Sequence, residues 1–229
     1  MPQIIAHRGA SRERLENTLP AFQRALDLGA DAVELDVHCT ADGTVVVHHN
    51  PLLRGTPPDP SLARTPISAL TAAQVASWRL ADDGPAPTLD AVVRLLGPHA
   101  AIYCELKGTG TARPSIDVLR QLGGRAAVHA FDHRQVADAA RHAPEMPRGV
   151  LEVSRHVDPA ESLRSVGARD LWQLVDYLDE QLVQQVHAAL GRVIAWTAND
   201  PRQVEQLAAW GVDGFCGDDV TMLRQVLGR

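Results

Sequence analysis

Short apolar runs alternate with amphipathic, helix-like stretches along the whole chain. The apolar runs fall at 3–7, 32–37, 101–107, 126–131, 148–153, 170–175, 192–198 and 214–217. Helix-like stretches lie between and after them at 19–28, 89–96, 115–122, 134–143, 159–166, 180–190, 201–210 and 220–227. A near-continuous apolar run suits a strand of a parallel sheet, because helices cover the sheet on its faces. Parallel neighbours need a crossover, and a helix is the usual one. Eight such units in series favour a closed (β/α)8 TIM barrel over an open sheet. At 229 residues the chain is slightly short for a barrel, so short loops are expected. Gly29, Gly97, Gly123, Gly167, Gly191 and Gly211 stand just past helix-like stretches, where a capping glycine is expected. Asp200-Pro201 reads as an N-cap followed by proline at the first helical position.

One segment interrupts the alternation. Thr40 to Thr44, with Asp42-Gly43 at its centre, lies between two β-rich runs and reads as a hairpin turn. Residues 44–49 then return antiparallel beside 32–37 and carry His49 back toward the same end. Residues 51–87, rich in Pro, Ala and Asp, hold one helix-like run at 72–78. They read as a small insertion between the second strand and its helix. The chain as a whole, 1–229, reads as a single domain without internal repeats.

The chemistry gathers near the strand ends. Residues two apart on a strand share a face, so Glu34 projects with Asp36 and Glu105 with Lys107. Barrel enzymes place their reactive groups at the C-terminal strand ends, where His7 and these charges fall. Solvated charge on an exposed strand is the plain alternative for Glu34 and Asp36. Their neighbours Ala32, Val33, Leu35 and Val37 suit a buried strand instead. Buried carboxylates need a partner, and hard oxygens gathered on one side suit Mg²⁺ or Ca²⁺. His7 and His49 beside such a cation offer an acid and a base near neutral pH. That combination points to metal-assisted cleavage of a phosphate ester. A structural ion pair between Glu105 and Lys107 is compatible with a role for Glu105 on the cation and for Lys107 at the phosphate. Arg8 offers a charge-assisted donor beside His7. Glu16 and Asn17 read either as helix caps or as supports for the His7 loop, Asn17 being the better support. Trp196 lies where it would wall a pocket. His38, His129 and His133 lie near strand ends and read as structural.

The ordered set His7-Arg8-Gly9, Glu16-Asn17-Thr18, Gly29-Ala30-Asp31, Glu34-Leu35-Asp36-Val37, Asp42-Gly43, His49, Pro87-Thr88-Leu89, Glu105-Leu106-Lys107, Phe131-Asp132, Trp196-Thr197-Ala198-Asn199 and Gly211-Val212-Asp213-Gly214 resembles the glycerophosphodiester phosphodiesterase family nearly end to end. The resemblance implies the same barrel. It implies that Glu34, Asp36 and Glu105 hold one divalent cation, and that His7 and His49 are the base and the acid. It also selects His49 over its neighbour His48. The implied reaction releases sn-glycerol 3-phosphate and an alcohol from a small-molecule glycerophosphodiester. Two departures stand out. Asn50 replaces the usual aspartate after the second histidine, and it is expected to keep a positional role beside His49. Ala130 replaces a frequent serine.

The remaining composition narrows partners. Net charge is −6 with no basic run, which argues against nucleic acid. Three scattered cysteines read as reduced thiols, and no Cys/His spacing suits zinc. No signal segment or bilayer-length apolar run is apparent, so a cytoplasmic protein without stable membrane insertion is expected. Two competing readings keep the barrel. One is lysophospholipase D-type cleavage, which needs an apolar lane that no exposed aromatic cluster suggests in sequence. The other is a non-catalytic binding module, against which stands the retention of both histidines, all three carboxylates and the lysine.

Overall fold

The computed structural model describes residues 1–80 and 84–229; positions 81–83 of the expected insertion lie outside the described residues. The strands are β1 (Gln3–His7), β2 (Ala32–Cys39), β3 (Val45–Val47), β4 (Ala101–Leu106), β5 (Ala126–Ala130), β6 (Arg148–Glu152), β7 (Asp170–Leu174), β8 (Arg192–Trp196) and β9 (Gly214–Gly217). The helices are α1 (Leu19–Asp27), α2 (Ala72–Ala76), α3 (Leu89–Leu96), α4 (Ala112–Leu119), α5 (His133–His142), α6 (Glu161–Val166), α7 (Glu180–Ala188), α8 (Pro201–Ala209) and α9 (Val220–Val226). All strands except β3 pair in parallel, and β1 joins both β2 and β9, which closes the barrel. The expected (β/α)8 barrel is therefore the observed one.

Each strand divides its side chains between two cores. On β2, Val33, Leu35 and Val37 pack outward against the helices, while Ala32 belongs to the inner cluster. Ile5, Tyr103, Leu151, Trp172, Ile194 and Cys216 fill the barrel interior, so it is a packed core and not a pore. Helix starts follow from local chemistry. Thr18 accepts a hydrogen bond from Ala21 N, Pro20 sits in the first turn of α1, and Ala21, Phe22 and Ala25 are buried.

The hairpin forms as expected, with Val37 to Cys39 opposite Val47 to Val45. That pairing extends β2 two residues beyond 37. The insertion has its own small core, in which Val46, Leu53, Ile67, Leu70 and Val75 surround the buried Trp78. Two local expectations change. Helix α4 starts at Ala112, before Pro114, because proline is tolerated in the first helical turn. After α7 the left-handed residue is Leu190, one position before Gly191, whereas Gly167 caps α6 at φ 58° as expected.

Candidate active site

A cavity of about 260 Å³ opens at the C-terminal mouth of the barrel. His7, Glu34, Glu105 and His129 reach it from β1, β2, β4 and β5, and His49 enters from the segment after β3. Arg8, Lys107, Phe131 and Trp196 complete its upper wall. Among the described residues no helix is long and apolar enough to cross a membrane.

The loop after β1 is tightly folded. Arg8, Gly9 and Asn17 all take positive φ, at 58°, 84° and 59°. A Cβ on Gly9 would stand 2.8 Å from the Ala21 backbone, so only glycine lets the loop lie against α1. Asn17 binds the loop to the site: its N–H donates to Arg8 O at 3.0 Å. Its side chain donates to Asp36 Oδ2 at 2.8 Å and accepts from Asp36 N at 3.3 Å. Capping of α1 falls to Thr18 and not to Glu16 or Asn17. Glu16 instead accepts from Arg8 Nη1 at 2.9 Å. Arg8 Nε lies 3.1 Å from Asp36 Oδ2, and its backbone N–H donates to Glu34 Oε2 at 3.2 Å. Arg8 is thus held by carboxylates while it lines the cavity.

Three buried carboxylates face two cations. Lys107 Nζ lies 2.7 Å from Glu105 Oε1 and 3.3 Å from Asp36 Oδ1, and neither oxygen has a well-aligned hydrogen bond. Burial and the Asp36 charge push the Glu105 carboxyl up to about 7. Glu34 is raised well above the usual range by burial and by both neighbouring carboxylates. Burial acts upward on Asp36 too, but Lys107, Arg8 and Asn17 outweigh it and hold this group ionised and low. Fully ionised, the cluster carries one negative charge more than Arg8 and Lys107 balance. One ligand atom each from Glu34, Glu105 and His129 lies within 4.8 Å of the others. Oxygen donors with one imidazole and excess negative charge fit a divalent cation.

His129 therefore does not sit apart in a purely structural position. It is 1% exposed, stacks on Trp172 with ring centroids 4.1 Å apart, and brings Nε2 to 3.9 Å from Glu34 Oε1. His38 and His133 bond to main-chain carbonyls, His38 Nε2 to His49 O at 3.2 Å and His133 Nε2 to Leu151 O at 3.3 Å.

The two other cavity histidines are held in opposite proton arrangements. His7 Nδ1 lies 2.6 Å from Asp218 Oδ1. A carboxylate accepts only, so Nδ1 carries the proton and Nε2 is left as an acceptor. Asp218 is itself held by Ser11 Oγ at 3.1 Å and Asn199 Nδ2 at 2.6 Å. Burial would raise Asp218, but the hydrogen bonds from His7, Asn199 and Ser11 bring it to about 2. His49 meets Asn50. The Asn50 oxygen accepts from Arg54 Nε and Nη2 at 2.9 and 3.0 Å, which turns its nitrogen toward His49 Nδ1 at 3.2 Å. An N–H aimed at Nδ1 places the proton of the neutral ring on Nε2. Burial also lowers the His49 pKa, against the pull of Asp36. Asp218 was not among the sequence candidates, although two adjacent aspartates directly after the last barrel strand were a visible signal.

The sequence model of the glycerophosphoryl diester phosphodiesterase family matches residues 7–222. The chain belongs to this family. Its members are phosphoric diester hydrolases, and this chain has relatives of similar length. A glycerophosphodiester phosphodiesterase of Caldanaerobacter subterraneus subsp. tengcongensis is 28% identical over 94% of this chain and 93% of its own. A probable glycerophosphodiester phosphodiesterase 1 of Mycobacterium tuberculosis is 31% identical over 92% of this chain and 87% of its own. Among solved structures, an Oleispira antarctica phosphodiesterase in complex with the product sn-glycerol-3-phosphate superposes with a TM-score of 0.87 at 25% identity, covering 100% of this chain and 98% of that one. A putative glycerophosphoryl diester phosphodiesterase from Silicibacter pomeroyi reaches 0.89 at 22% identity, over 99% and 93%.

Proposed function

We propose that the enzyme hydrolyses glycerophosphodiesters to sn-glycerol 3-phosphate and an alcohol, with a divalent cation such as Mg²⁺ or Ca²⁺ and two histidines that move protons. The observation that carries this reading is the pairing of His7, whose Nδ1 meets Asp218, with His49, whose Nδ1 meets the Asn50 amide, across a cavity that also holds Glu34, Glu105 and Lys107. The product bound to the Oleispira relative supports the glycerol 3-phosphate half.

Glu34 and Glu105 would hold the cation, with Asp36 and His129 as the neighbouring donors. A cation held there would supply positive charge against the phosphate and the charge that builds in the transition state. Lys107 faces the phosphate and adds positive charge. His7 Nε2 takes a proton from the attacking hydroxyl, and Asp218 steadies the imidazolium that forms. The attacking oxygen bonds to phosphorus as the bond to the alcohol oxygen breaks. His49, when protonated at both ring nitrogens, hands its Nε2 proton to the departing alkoxide and returns to the neutral ring. Attack by water gives glycerol 3-phosphate directly. Attack by a glycerol hydroxyl gives a cyclic phosphate that the same residues hydrolyse.

The test is choline release from glycerophosphocholine, with sn-glycerol 3-phosphate measured beside it, in Mg²⁺, Ca²⁺, Mn²⁺ and chelator. Cation-dependent release of both products is expected. Equal turnover after exhaustive chelation would remove the cation from the mechanism, and no turnover on any glycerophosphodiester would remove the function.

A further inference from the structure

The floor of the barrel, where its strands begin, carries charge that the reaction does not use. Side chains alternate across a strand, so the residues two before the inner-core Ile5, Trp172 and Ile194 share their face. These are Gln3 on β1, Asp170 on β7 and Arg192 on β8, and Arg125 stands one residue before β5. A cavity of about 120 Å³ opens at this end, with Gln3, Tyr103, Arg125, Arg169 and Arg192 in its wall. Tyr103 is 4% exposed, and its hydroxyl donates to Gln3 Oε1 at 2.7 Å.

A structural ion pair accounts for part of this charge. Asp170 is fully buried, and Arg169 grips both of its oxygens, from Nε at 2.8 Å and from Nη2 at 2.7 Å. One bidentate arginine balances one buried carboxylate. Arg192 is a second cation beside the same group, with Nη1 3.6 Å from Asp170 Oδ1 and Nη2 donating to Gln3 Oε1 at 3.3 Å. Arg125 is exposed and forms no ion pair with a described carboxylate. Three guanidinium groups therefore share one carboxylate around the cavity, in a chain whose net charge is −6. That leaves two positive charges in surplus at a concave site. Planar guanidinium forks match the oxygens of a phosphate group. At about 120 Å³ the cavity is well below the roughly 300 Å³ at which ordinary small-molecule pockets begin, a scale that suits a single tetrahedral oxyanion.

We propose that the floor of the barrel binds a phosphate-class anion between Arg125, Arg169 and Arg192, at a site separate from the reactive cavity. None of these arginines lines that cavity, which opens at the other ends of the strands. The ligand is a small anion and not a nucleic acid or an anionic membrane, because the surplus charge is gathered in one small hollow of an acidic protein. Free phosphate and the phosphate end of a monoester share the chemistry that the site recognises.

The experiment is calorimetric titration of the whole chain with inorganic phosphate, in chelator and at constant ionic strength. Lys107→Met, which removes the cation facing phosphate at the mouth, is the background that isolates the floor. Phosphate binding should persist in that background. Adding Arg125→Gln should weaken it by about ten-fold or more, the scale of one charge-assisted hydrogen bond. Arg125 is exposed, so the variant should fold, and Arg125→Gln alone should keep the phosphate-free turnover of the wild-type chain. Arg192→Gln is the second variant and should weaken binding in the same way. Titration with sn-glycerol 3-phosphate separates the sources. Affinity equal to that of phosphate identifies a site that takes monoesters, and binding of inorganic phosphate alone identifies a site for the free ion. Loss of all phosphate binding in Lys107→Met would place the anion at the mouth and overturn the proposal. Undiminished affinity in both arginine variants would overturn it as well.

Discussion

His7 Nδ1 lies 2.6 Å from Asp218 Oδ1, so the first barrel strand is hydrogen-bonded to the residue that follows the last. The carboxylate selects the tautomer in which His7 Nε2 is bare. Asp218→Asn keeps the shape but lets an amide N–H face Nδ1, which moves the ring proton to Nε2. A fall in kcat of roughly 10²–10⁴-fold is expected with little change in melting temperature. Wild-type kcat in this variant would show that Asp218 does not set the state of His7.

The neighbours His48 and His49 should separate cleanly. His49 borders the reactive cavity, while His48 is buried and its Nδ1 bonds to Asn50 O at 2.8 Å. His49→Ala should lower kcat by about 10²–10⁴-fold. His48→Ala should cost stability and leave most turnover, and the opposite pattern would reverse the assignment.

The carboxylate cluster gives a signed pH dependence without any substrate. Burial and like charge raise Glu105 from 4.5 to about 7. Between those values Glu105 binds more proton in the folded chain than in the unfolded one, so the stability this group contributes to the cation-free protein falls as pH rises through the window. A divalent cation competes with those protons. It should therefore raise the melting temperature strongly above pH 7 and only weakly near pH 5. Thermal unfolding across that range, with and without chelator, reads both effects. The same scans on Glu105→Gln isolate this group from the buried histidines, whose lowered pKa values act in the opposite sense; a difference between variant and wild type that does not change from pH 5 to 7 would contradict the burial argument.

Residue 50 should tune His49 as well as hold position beside it. The sequence reading assigns Asn50 the role of a spacer, whereas the amide N–H directed at His49 Nδ1 disfavours the imidazolium. Asn50→Asp replaces a donor with an acceptor and a charge, so the His49 pKa should rise. The alkaline limb of kcat/KM against pH should move upward. An unchanged profile would restore the purely positional role.

Lys107 occupies the space between Glu105 Oε1 and Asp36 Oδ1 at 2.7 and 3.3 Å, as an internal competitor for a divalent ion. Lys107→Met should tighten cation binding by about ten-fold or more, the scale of one opposite charge at this range, while lowering turnover. Calorimetric titration with Mg²⁺ and Ca²⁺ reads the affinity. Weaker binding in the variant would mean that Lys107 supports the cation site and does not compete with it.

Much of this arrangement was legible in the sequence because strand alternation carries it. Period two placed Glu34 with Asp36 and Glu105 with Lys107, and the Asp42-Gly43 turn returned His49 to the mouth. What the sequence left hidden depends on contacts between distant strands. His129 reads as structural until β5 is set two strands from β2, and Asp218 lies 211 residues from its partner. The split between Asp36, held low, and Glu34 and Glu105, pushed up, depends on where Arg8, Lys107 and Asn17 reach. Spacing along the chain does not encode that reach.

Barrel closure also has a consequence in time. Pairings from β4 to β9 join strands close in sequence, whereas β1 pairs with β9 across nearly the whole chain. Long-range closure is the entropically slow step of such a topology. Glu34, Glu105 and His129 come together through β2, β4 and β5, while His7 and Asp218 meet only when the ends join. A refolding chain should regain tryptophan burial and cation affinity before it regains turnover. The lag between those signals would time the closing of the barrel.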